Sequence, residues 1–169
     1  MSSFSRPRPV TSQDDVSTFS CGKQTLDNWL NLRAIKNEAA GNSRTFISIE
    51  RETGVIAGYC CLNSHSITRE EMPGSIRRNA PDPIPVILIG RLAVDSRFTG
   101  RGLGYSLLRD ALTKGVEAAN LVGSRALVVD ALDDEAVGFY AKFGFKLMPG
   151  SARALYLTME DARATIAAL

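Results

Sequence analysis

The order of hydrophobic and polar positions predicts alternating strands and helices along the whole chain of 169 residues. Two-residue alternation with β-branched side chains is typical of strands, and apolar residues three or four apart are typical of helices. A continuous apolar run predicts a central strand from Val86 to Val94, and an amphipathic helix from Gly102 to Asn120 follows it. The other predicted strands lie at 6–10, 44–50, 55–64, 124–131, 145–148 and 154–159, and the other predicted helices at 22–40 and 134–143.

A polar segment from Thr68 to Asp82 predicts a loop with short helical turns. Its apolar residues Met72 and Ile76 have two interpretations, as a cover over an acceptor site or as part of a dimer interface. No linker or repeat divides the chain, and its length suits one domain. We therefore expect a single domain over residues 1–169, of the α/β (α+β) class.

Composition narrows the class of protein only slightly. Hydrophobic residues make up 44% and charged residues 22%, as in an ordinary globular protein, and the net charge of +2 does not by itself indicate nucleic-acid binding. The odd number of cysteines (Cys21, Cys60 and Cys61) is typical of reduced thiols in a cytosolic protein. The first 15 residues lack the apolar core of a signal peptide, so we expect a cytoplasmic location.

Glycines at 100, 102 and 104 separate the predicted central strand from the long helix that follows. A glycine-rich turn at a helix N-terminus presents several backbone N–H groups, which can bind a phosphate or pyrophosphate. The G-x-G-x-G spacing differs from the G-x-G-x-x-G of dinucleotide-binding folds, and the G-K-[ST] of a Walker loop is absent. The turn therefore predicts a phosphate-containing ligand of another kind.

Three motifs in order resemble the GNAT superfamily of acetyl-CoA-dependent N-acetyltransferases: Leu92-Ala-Val-Asp95, Gly100-Arg-Gly-Leu-Gly104, and the segment Ala136–Phe145 with its Phe-Tyr-x-x-Phe-Gly-Phe ending. The resemblance implies a central, mixed and mostly antiparallel sheet flanked by helices. It implies that this sheet is splayed where the strand 86–94 leaves the strand 124–131. It also implies acetyl-CoA as co-substrate and no metal.

The same resemblance implies which residues bind acetyl-CoA. Main-chain groups of Leu92 to Val94 would pair with the pantetheine arm, and the amides from Gly100 to Tyr105 would bind the pyrophosphate. The family's Q/R-x-x-G-x-G/A pattern fits in two registers, which place either Thr99 or Arg97 in the first position. The implied cofactor-binding residues are Leu92, Ala93, Val94, Thr99, Gly100, Arg101, Gly102, Leu103, Gly104, Tyr105, Asp133 and Phe139.

Tyr140 is the catalytic residue that the resemblance implies, as the general acid that protonates the leaving thiolate. The alternative is a core aromatic residue, since Tyr140 lies in an apolar helical stripe.

No carboxylate lies within Val86–Ile89, where many relatives carry a glutamate, and His65 is interpreted as a surface or hydrogen-bonded residue rather than a base. An α-amine, with a pKa of about 7.7–8.0, is roughly a tenth neutral at pH 7, whereas a lysine amine is only about 0.04% neutral. A site without a base therefore favours an α-amine substrate.

The N-terminal half resembles a narrower group, the GNAT toxins of type II toxin–antitoxin modules. The resemblance rests on the segments 19–30 and 34–46, on Gly90–Asp95, and on Asp134-Glu-Ala136. It implies acetylation of the amine of aminoacyl-tRNA, a block of translation, and a ribbon-helix-helix antitoxin as partner. It also implies a homodimer.

Several cations would lie near the substrate entrance of such a protein and could contact tRNA phosphates. For all of these cations the alternative is a solvated surface position. The adjacent arginines at 77 and 78 could instead form a protein-binding patch, and Arg91 could be the internal partner of a carboxylate. The candidate tRNA-binding residues are Arg33, Lys36, Arg44, Arg77, Arg78 and Arg91.

Three functions follow from these observations. The first is an aminoacyl-tRNA acetyltransferase that acts as a toxin. The second is a housekeeping N-acetyltransferase of a small amine or a peptide N-terminus. The third is a CoA-binding interaction module without catalysis, which the presence of Tyr140 and the uninterrupted glycine turn disfavour.

Overall fold

A computed structural model describes residues 2–169, and within this range the chain forms seven strands and six α-helices. The strands are β1 (Arg8–Pro9), β2 (Arg44–Ile49), β3 (Ile56–Ile67), β4 (Ile84–Val94), β5 (Ala126–Asp130), β6 (Lys146–Leu147) and β7 (Ala154–Thr158). The helices are α1 (Gln24–Trp29), α2 (Ile35–Ala40), α3 (Gly74–Arg77), α4 (Leu103–Val122), α5 (Asp134–Ala141) and α6 (Met159–Ala168). A π-helical segment, Leu30–Ala34, joins α1 to α2, and short 3-10 turns lie at Arg69–Glu71 and Ser96–Phe98.

The strands form one mixed sheet in the order β1-β2-β3-β4-β5-β7-β6. Strands β1 and β3 pair antiparallel with β2, and β5 and β6 pair antiparallel with β7, whereas β4 and β5 are parallel. The β4–β5 ladder runs from Val86 opposite Ala126 to Ile89 opposite Val129, and β4 then continues to Val94. The predicted mixed, mostly antiparallel sheet with flanking helices is confirmed. The pairing of β4 with β5 ends at Ile89, five residues before β4 ends, as expected if the two strands diverge beyond that point.

The chain divides into two compact units, of which the first comprises residues up to 63 and residues 90–111. Its core includes Trp29, Ile47, Tyr59 and Ala93, all buried. Gly58 allows α4 to pack against β3, because a Cβ at this position would lie 2.8 Å from Leu107 Cδ1. A side chain at position 58 would therefore require the Leu107 side chain to move, and it would lie only 3.1 Å from the Ala93 carbonyl oxygen.

The second unit comprises residues 64–89 and 112–169. Met72 and Ile76 are 1% and 2% exposed and belong to its core, beside Ile84, Val86 and Val128. Both sequence interpretations of Met72 and Ile76, as an acceptor-site cover or as a dimer interface, are therefore wrong. The polarity of the flanking residues predicts an exposed loop, but both side chains are buried: Met72 directly follows the 3-10 turn Arg69–Glu71, and Ile76 lies in α3.

The C-terminal helix α6 is the one α-helix of residues 2–169 that the sequence analysis did not predict. The Thr158 hydroxyl accepts a hydrogen bond from the Asp161 amide at 3.0 Å and caps this helix. The helix is rich in alanine and has a weak apolar stripe, so periodicity did not reveal it. The Thr-x-x-Asp cap was the available signal.

The other predicted elements are confirmed within a few residues. One helix differs from its prediction in its first residue and in containing a π-helical segment. The helix predicted over 22–40 begins at Gln24 and contains the π-helical segment, and Gly41 ends it with a φ of 77°. The single domain expected over residues 1–169 remains a prediction. Within the part of the chain that is described, no helix has the length and apolarity needed to cross a lipid bilayer.

Candidate acetyl-CoA and tRNA site

The glycine turn leads directly into α4, as predicted. Gly100 and Gly102 have φ angles of 74° and 81°, a left-handed conformation that glycine adopts without strain. A Cβ at either position would have no neighbouring atom within 4 Å, so the turn has open space beside its backbone. Gly104 lies inside α4, a helix of 20 residues whose first amides have no partner within the helix. This arrangement fits a phosphate group, which bare helix N-termini bind.

The two registers of the family pattern differ in the side chain that they place beside this turn. Arg97 is held by the Asp95 carboxylate, with Nε to Oδ1 and Nη2 to Oδ2 both at 2.9 Å. The Thr99 hydroxyl donates to the Ser96 carbonyl at 3.4 Å. Arg97 therefore has a structural partner already, and the register that uses it would require this ion pair to be shared with a phosphate.

Asp95 organises the segment before the turn. Its side chain is 1% exposed and accepts hydrogen bonds from the amides of Ser20 at 3.0 Å and Arg97 at 2.9 Å. Burial raises the pKa of this carboxyl, but the Arg97 guanidinium and the two amides outweigh burial and hold the pKa below its usual value. The carboxylate thus fixes the 3-10 turn from which the glycine turn continues.

The segment proposed for pantetheine, Leu92–Val94, forms the end of β4 beyond its ladder with β5. Ala93 is buried in the core of the first unit, whereas Leu92 and Val94 are half-buried. The amide of the following residue, Asp95, donates to the Ala57 carbonyl at 2.8 Å. Residues 92–94 are thus extended strand residues of β4, with β3 as the neighbouring strand on one side.

Tyr140 lies near the end of α5 and is 5% exposed. Its ring packs edge-on against Phe139 at 5.2 Å and Phe145 at 5.5 Å between centroids. The Tyr140 carbonyl accepts hydrogen bonds from the amides of Phe143 and Phe145, which closes the end of the helix. These contacts fix the direction of the phenol, and its role as general acid stays a prediction.

The Asp133 side chain is the N-cap of α5, because its Oδ1 accepts from the Ala136 amide at 2.9 Å. Cofactor contacts of Asp133 and of the half-buried Phe139 stay predictions. In the turn and the start of α4, Leu103 is buried, whereas Arg101 and Tyr105 are exposed.

Two of the thiols, Cys21 and Cys61, are poor candidates for a covalent nucleophile. Burial, with a smaller contribution from the nearby Asp27, raises the pKa of Cys21 to about 11. Burial also raises the pKa of Cys61. All three cysteines are free thiols, and protonated thiols are poor nucleophiles.

The candidate tRNA-binding cations fall in both units. In the first unit Arg33 and Lys36 are exposed, and Arg44 forms an ion pair with Glu38 at 2.6 Å. Arg91 is half-buried, and its guanidinium lies over the Trp29 ring. No internal carboxylate partner of Arg91 is found within residues 2–169, so that alternative is wrong.

In the second unit, Arg77 and Arg78 lie at the end of α3 and both are exposed. The Arg78 Nε donates to the Gly74 carbonyl at 3.1 Å, and Arg69 Nη2 donates to the Arg77 carbonyl at 3.1 Å. A third arginine thus stabilises the turn that presents the other two. His65 is also exposed, in agreement with its interpretation as a surface residue.

Two aromatic contacts near the proposed site have no counterpart in the sequence-based predictions. Trp29 stacks on Tyr59, with centroids 6.0 Å apart, and the Tyr59 hydroxyl donates to the Leu26 carbonyl at 2.7 Å. Phe4, near the N-terminus, lies beside Arg101 of the glycine turn. No local pattern reveals either contact, since both join residues far apart in the chain.

The chain belongs to the acetyltransferase (GNAT) family, because the profile of that family matches residues 11–145. A relative, the tRNA-acetylating toxin of Mycobacterium tuberculosis, is 47% identical over 166 residues, which cover 98% of this chain and 99% of the relative. The structure of AtaT complexed with acetyl-methionyl-tRNAfMet has a TM-score of 0.86 and 25% identity, covering 95% of this chain and 98% of that one. AtaTR bound with AcCoA has a TM-score of 0.83 and 26% identity, covering 97% and 98%. Both resemblances drawn from the sequence are confirmed.

Proposed function

We propose that this acetyltransferase moves the acetyl group of acetyl-CoA to the α-amine of aminoacyl-tRNA and thereby acts as a toxin that blocks translation. The observation that carries the proposal is the 47% identity, over nearly the full length of both chains, to a tRNA-acetylating toxin. A cognate antitoxin of the ribbon-helix-helix type would neutralise it. AtaT, a structural neighbour, has been solved together with acetyl-methionyl-tRNAfMet.

Binding of the coenzyme is assigned to the glycine turn and the end of β4. The amides from Gly100 to Tyr105 would donate to the pyrophosphate, and the open space at Gly100 and Gly102 supports this assignment. The extended main chain of Leu92–Val94 would pair with the amides of the pantetheine arm. When bound, acetyl-CoA supplies an acetyl group activated as a thioester.

Tyr140 is assigned the role of general acid. As the substrate nitrogen forms a bond to the acetyl carbon and the carbon–sulfur bond breaks, the Tyr140 hydroxyl would give its proton to the departing sulfur. The amine loses its own proton to water, and the tyrosinate that remains takes a proton back from water, so that protons and charges balance over the turnover. Packing against Phe139 and Phe145 limits the rotation of the phenol and supports this role.

The nature of the amine follows from the absence of a carboxylate in Val86–Ile89. About a tenth of an α-amine is neutral at pH 7, and this fraction can react without a strong protein base. A lysine side chain would need such a base. The amino acid of a charged tRNA presents an α-amine, which agrees with the proposed substrate.

Recognition of the tRNA is assigned to the exposed cations. Arg33, Lys36, Arg77 and Arg78 are exposed and would contact phosphates, while Arg44 would do so beside its ion pair with Glu38. A homodimer, a single domain and a cytoplasmic location complete the proposal. These last features rest on the resemblance to the toxin group and on composition.

A cell-free translation assay tests this function. Charged tRNA is treated with the protein and acetyl-CoA, repurified, and returned to the translation mixture. We expect that treated tRNA no longer supports translation, and that treatment with Tyr140→Phe or with free CoA has no such effect. If treated tRNA stays fully active while the protein acetylates small amines or peptide N-termini, the housekeeping function is correct instead.

A further inference from the structure

The N-terminal segment Ser2–Ser5 is fixed to the edge of β2. The Ser5 amide donates to the Ile49 carbonyl at 2.8 Å, and the Ser48 hydroxyl donates to the Ser5 carbonyl at 2.7 Å. The Arg51 amide and Nε donate to the carbonyls of Ser3 and Ser2 at 2.9 and 3.0 Å. These bonds fix the backbone on both sides of Phe4.

Phe4 contacts the glycine turn from this position. Its ring meets the Phe98 ring edge-on, with centroids 5.7 Å apart and an interplanar angle of 80°. The Arg101 guanidinium carbon lies 4.8 Å from the centre of the Phe4 ring and 5.9 Å from that of Phe98. Such cation–π contacts orient a guanidinium but leave the N–H groups along its edge available to an anion.

Arg101 differs from the neighbouring Arg97 in what neutralises its charge. Arg97 is paired with the buried Asp95 carboxylate, whereas within residues 2–169 the Arg101 guanidinium has no carboxylate or carbonyl partner. Arg101 stands between Gly100 and Gly102, the two positions with open space beside the backbone. An exposed arginine in this place can donate to a phosphate that approaches the turn.

We propose that Phe4 is a positioning residue of the coenzyme site, which holds Arg101 where its guanidinium binds a phosphate of acetyl-CoA. The N-terminal segment is then a functional part of the site, although it lies outside the 11–145 family match. This inference rests on the proposed function in taking acetyl-CoA as the donor and, for its assay, aminoacyl-tRNA as the acceptor. The phosphate is either the pyrophosphate or the 3′-phosphate, and one experiment distinguishes them.

The experiment measures KM and kcat of the full chain for acetyl-CoA, with aminoacyl-tRNA in excess. Arg101→Gln should raise the KM for acetyl-CoA by about tenfold or more, the value of a hydrogen bond between charged groups. Phe4→Met keeps an apolar side chain but removes the π face, and should raise KM about two- to fivefold. Phe4→Tyr restores the ring and should restore KM. We expect kcat to change little in all three variants.

A matched control and a double variant separate positioning from general damage. Arg6→Gln makes the same charge change in the same exposed N-terminal region and should leave KM unchanged. Phe4→Met combined with Arg101→Gln should be no worse than Arg101→Gln alone, because Phe4 acts only through Arg101. Additive effects of the two changes would overturn the positioning role of Phe4.

Acetyl-3′-dephospho-CoA identifies the phosphate. If Arg101 binds the 3′-phosphate, Arg101→Gln should raise KM for acetyl-CoA but not for the dephospho analogue. If it binds the pyrophosphate, KM should rise by the same factor for both. If the Arg101→Gln variant is folded and its KM is unchanged for both donors, the proposed role of Arg101 and Phe4 is wrong. If the wild-type protein uses neither donor, the proposed function itself is wrong.

Discussion

The guanidinium carbon of Arg91 lies 4.8 Å from the centre of the Trp29 ring, and Trp29 stacks on Tyr59. This relationship joins α1 to the part of β4 that immediately precedes Leu92–Val94. Trp29 is also the last residue before the π-helical segment Leu30–Ala34, and such segments are frequent at functional sites. The residue that precedes this π-helical segment therefore contacts Arg91, which directly precedes the proposed pantetheine-binding residues.

The first prediction concerns this pair. Trp29→Leu and Arg91→Gln each destabilise the fold, and a double-mutant cycle should give a coupling free energy of about 0.5–2 kcal/mol, the range of a cation–π contact. Urea unfolding of the four proteins measures it. Arg33→Gln combined with Trp29→Leu is the control, since Arg33 is exposed. Equal coupling in both cycles would show that Arg91 does not interact specifically with Trp29.

The second prediction concerns the pH dependence of Asp95. The pKa of this carboxyl is lower in the folded chain than in the unfolded chain, where it is about 3.9. Its contribution to the free energy of unfolding is therefore fully present above about pH 4 and is lost as the pH falls through the folded pKa. Asp95→Asn should cost about 1–3 kcal/mol at pH 7.

Thermal and urea unfolding between pH 2 and pH 7 check this prediction. The stability difference between wild type and Asp95→Asn should narrow at the acid end. A difference that stays constant over the whole pH range would mean that the ionised carboxylate is not what stabilises the turn.

The third prediction compares two glycines with the same backbone conformation. Gly102 and Gly123 have φ angles of 81° and 83°, and neither has an atom within 4 Å of an added Cβ. Alanine at either position should lower the free energy of unfolding by about 1–2 kcal/mol. Only Gly102→Ala should also raise the KM for acetyl-CoA, by about tenfold, because its methyl group occupies the approach to the amides. A similar KM in both variants contradicts phosphate binding at the turn.

The fourth prediction concerns tRNA affinity. Arg77→Glu combined with Arg78→Glu should weaken tRNA binding, and the slope of log K against log salt should become shallower by about 0.9 for each phosphate that the variant no longer neutralises. Arg153→Glu combined with Arg163→Glu makes the same charge change at two other exposed arginines and is the control. Filter binding at several salt concentrations measures both. If the two double variants behave alike, the effect reflects net charge rather than a specific interaction.

The sequence predicted those features that depend on neighbouring residues. Gly41 ends α2 because glycine adopts a positive φ, and Asp133 caps α5 because its carboxylate reaches the amide three residues on. The glycine turn is local in the same sense. Each of these signals is carried by a few consecutive residues, so one sequence suffices to detect them.

Contacts between distant segments could not be predicted in this way. Trp29 and Arg91 are far apart in the sequence, with β2, β3 and α3 between them. Phe4 reaches Arg101 only because the N-terminal segment pairs with β2. Met72 and Ile76 were misplaced because the polarity of a loop says little about which side its apolar residues face. The roles of Arg91 and Arg101 consequently depend on tertiary structure, as does the choice between Arg97 and Thr99.

Mass spectrometry of aminoacyl-tRNA after incubation with isotope-labelled acetyl-CoA shows whether this protein acetylates the amino acid of charged tRNA. We predict that wild-type protein places the label on the α-amine of the esterified amino acid, and that lysyl-tRNA, if it is a substrate, carries the label on the α-amine and not on the side chain. Tyr140→Phe should slow labelling by about 10²- to 10⁴-fold, the usual contribution of a general acid, while Tyr156→Phe should not. If charged tRNA remains unlabelled although the protein is folded and binds acetyl-CoA, the protein is not an aminoacyl-tRNA acetyltransferase.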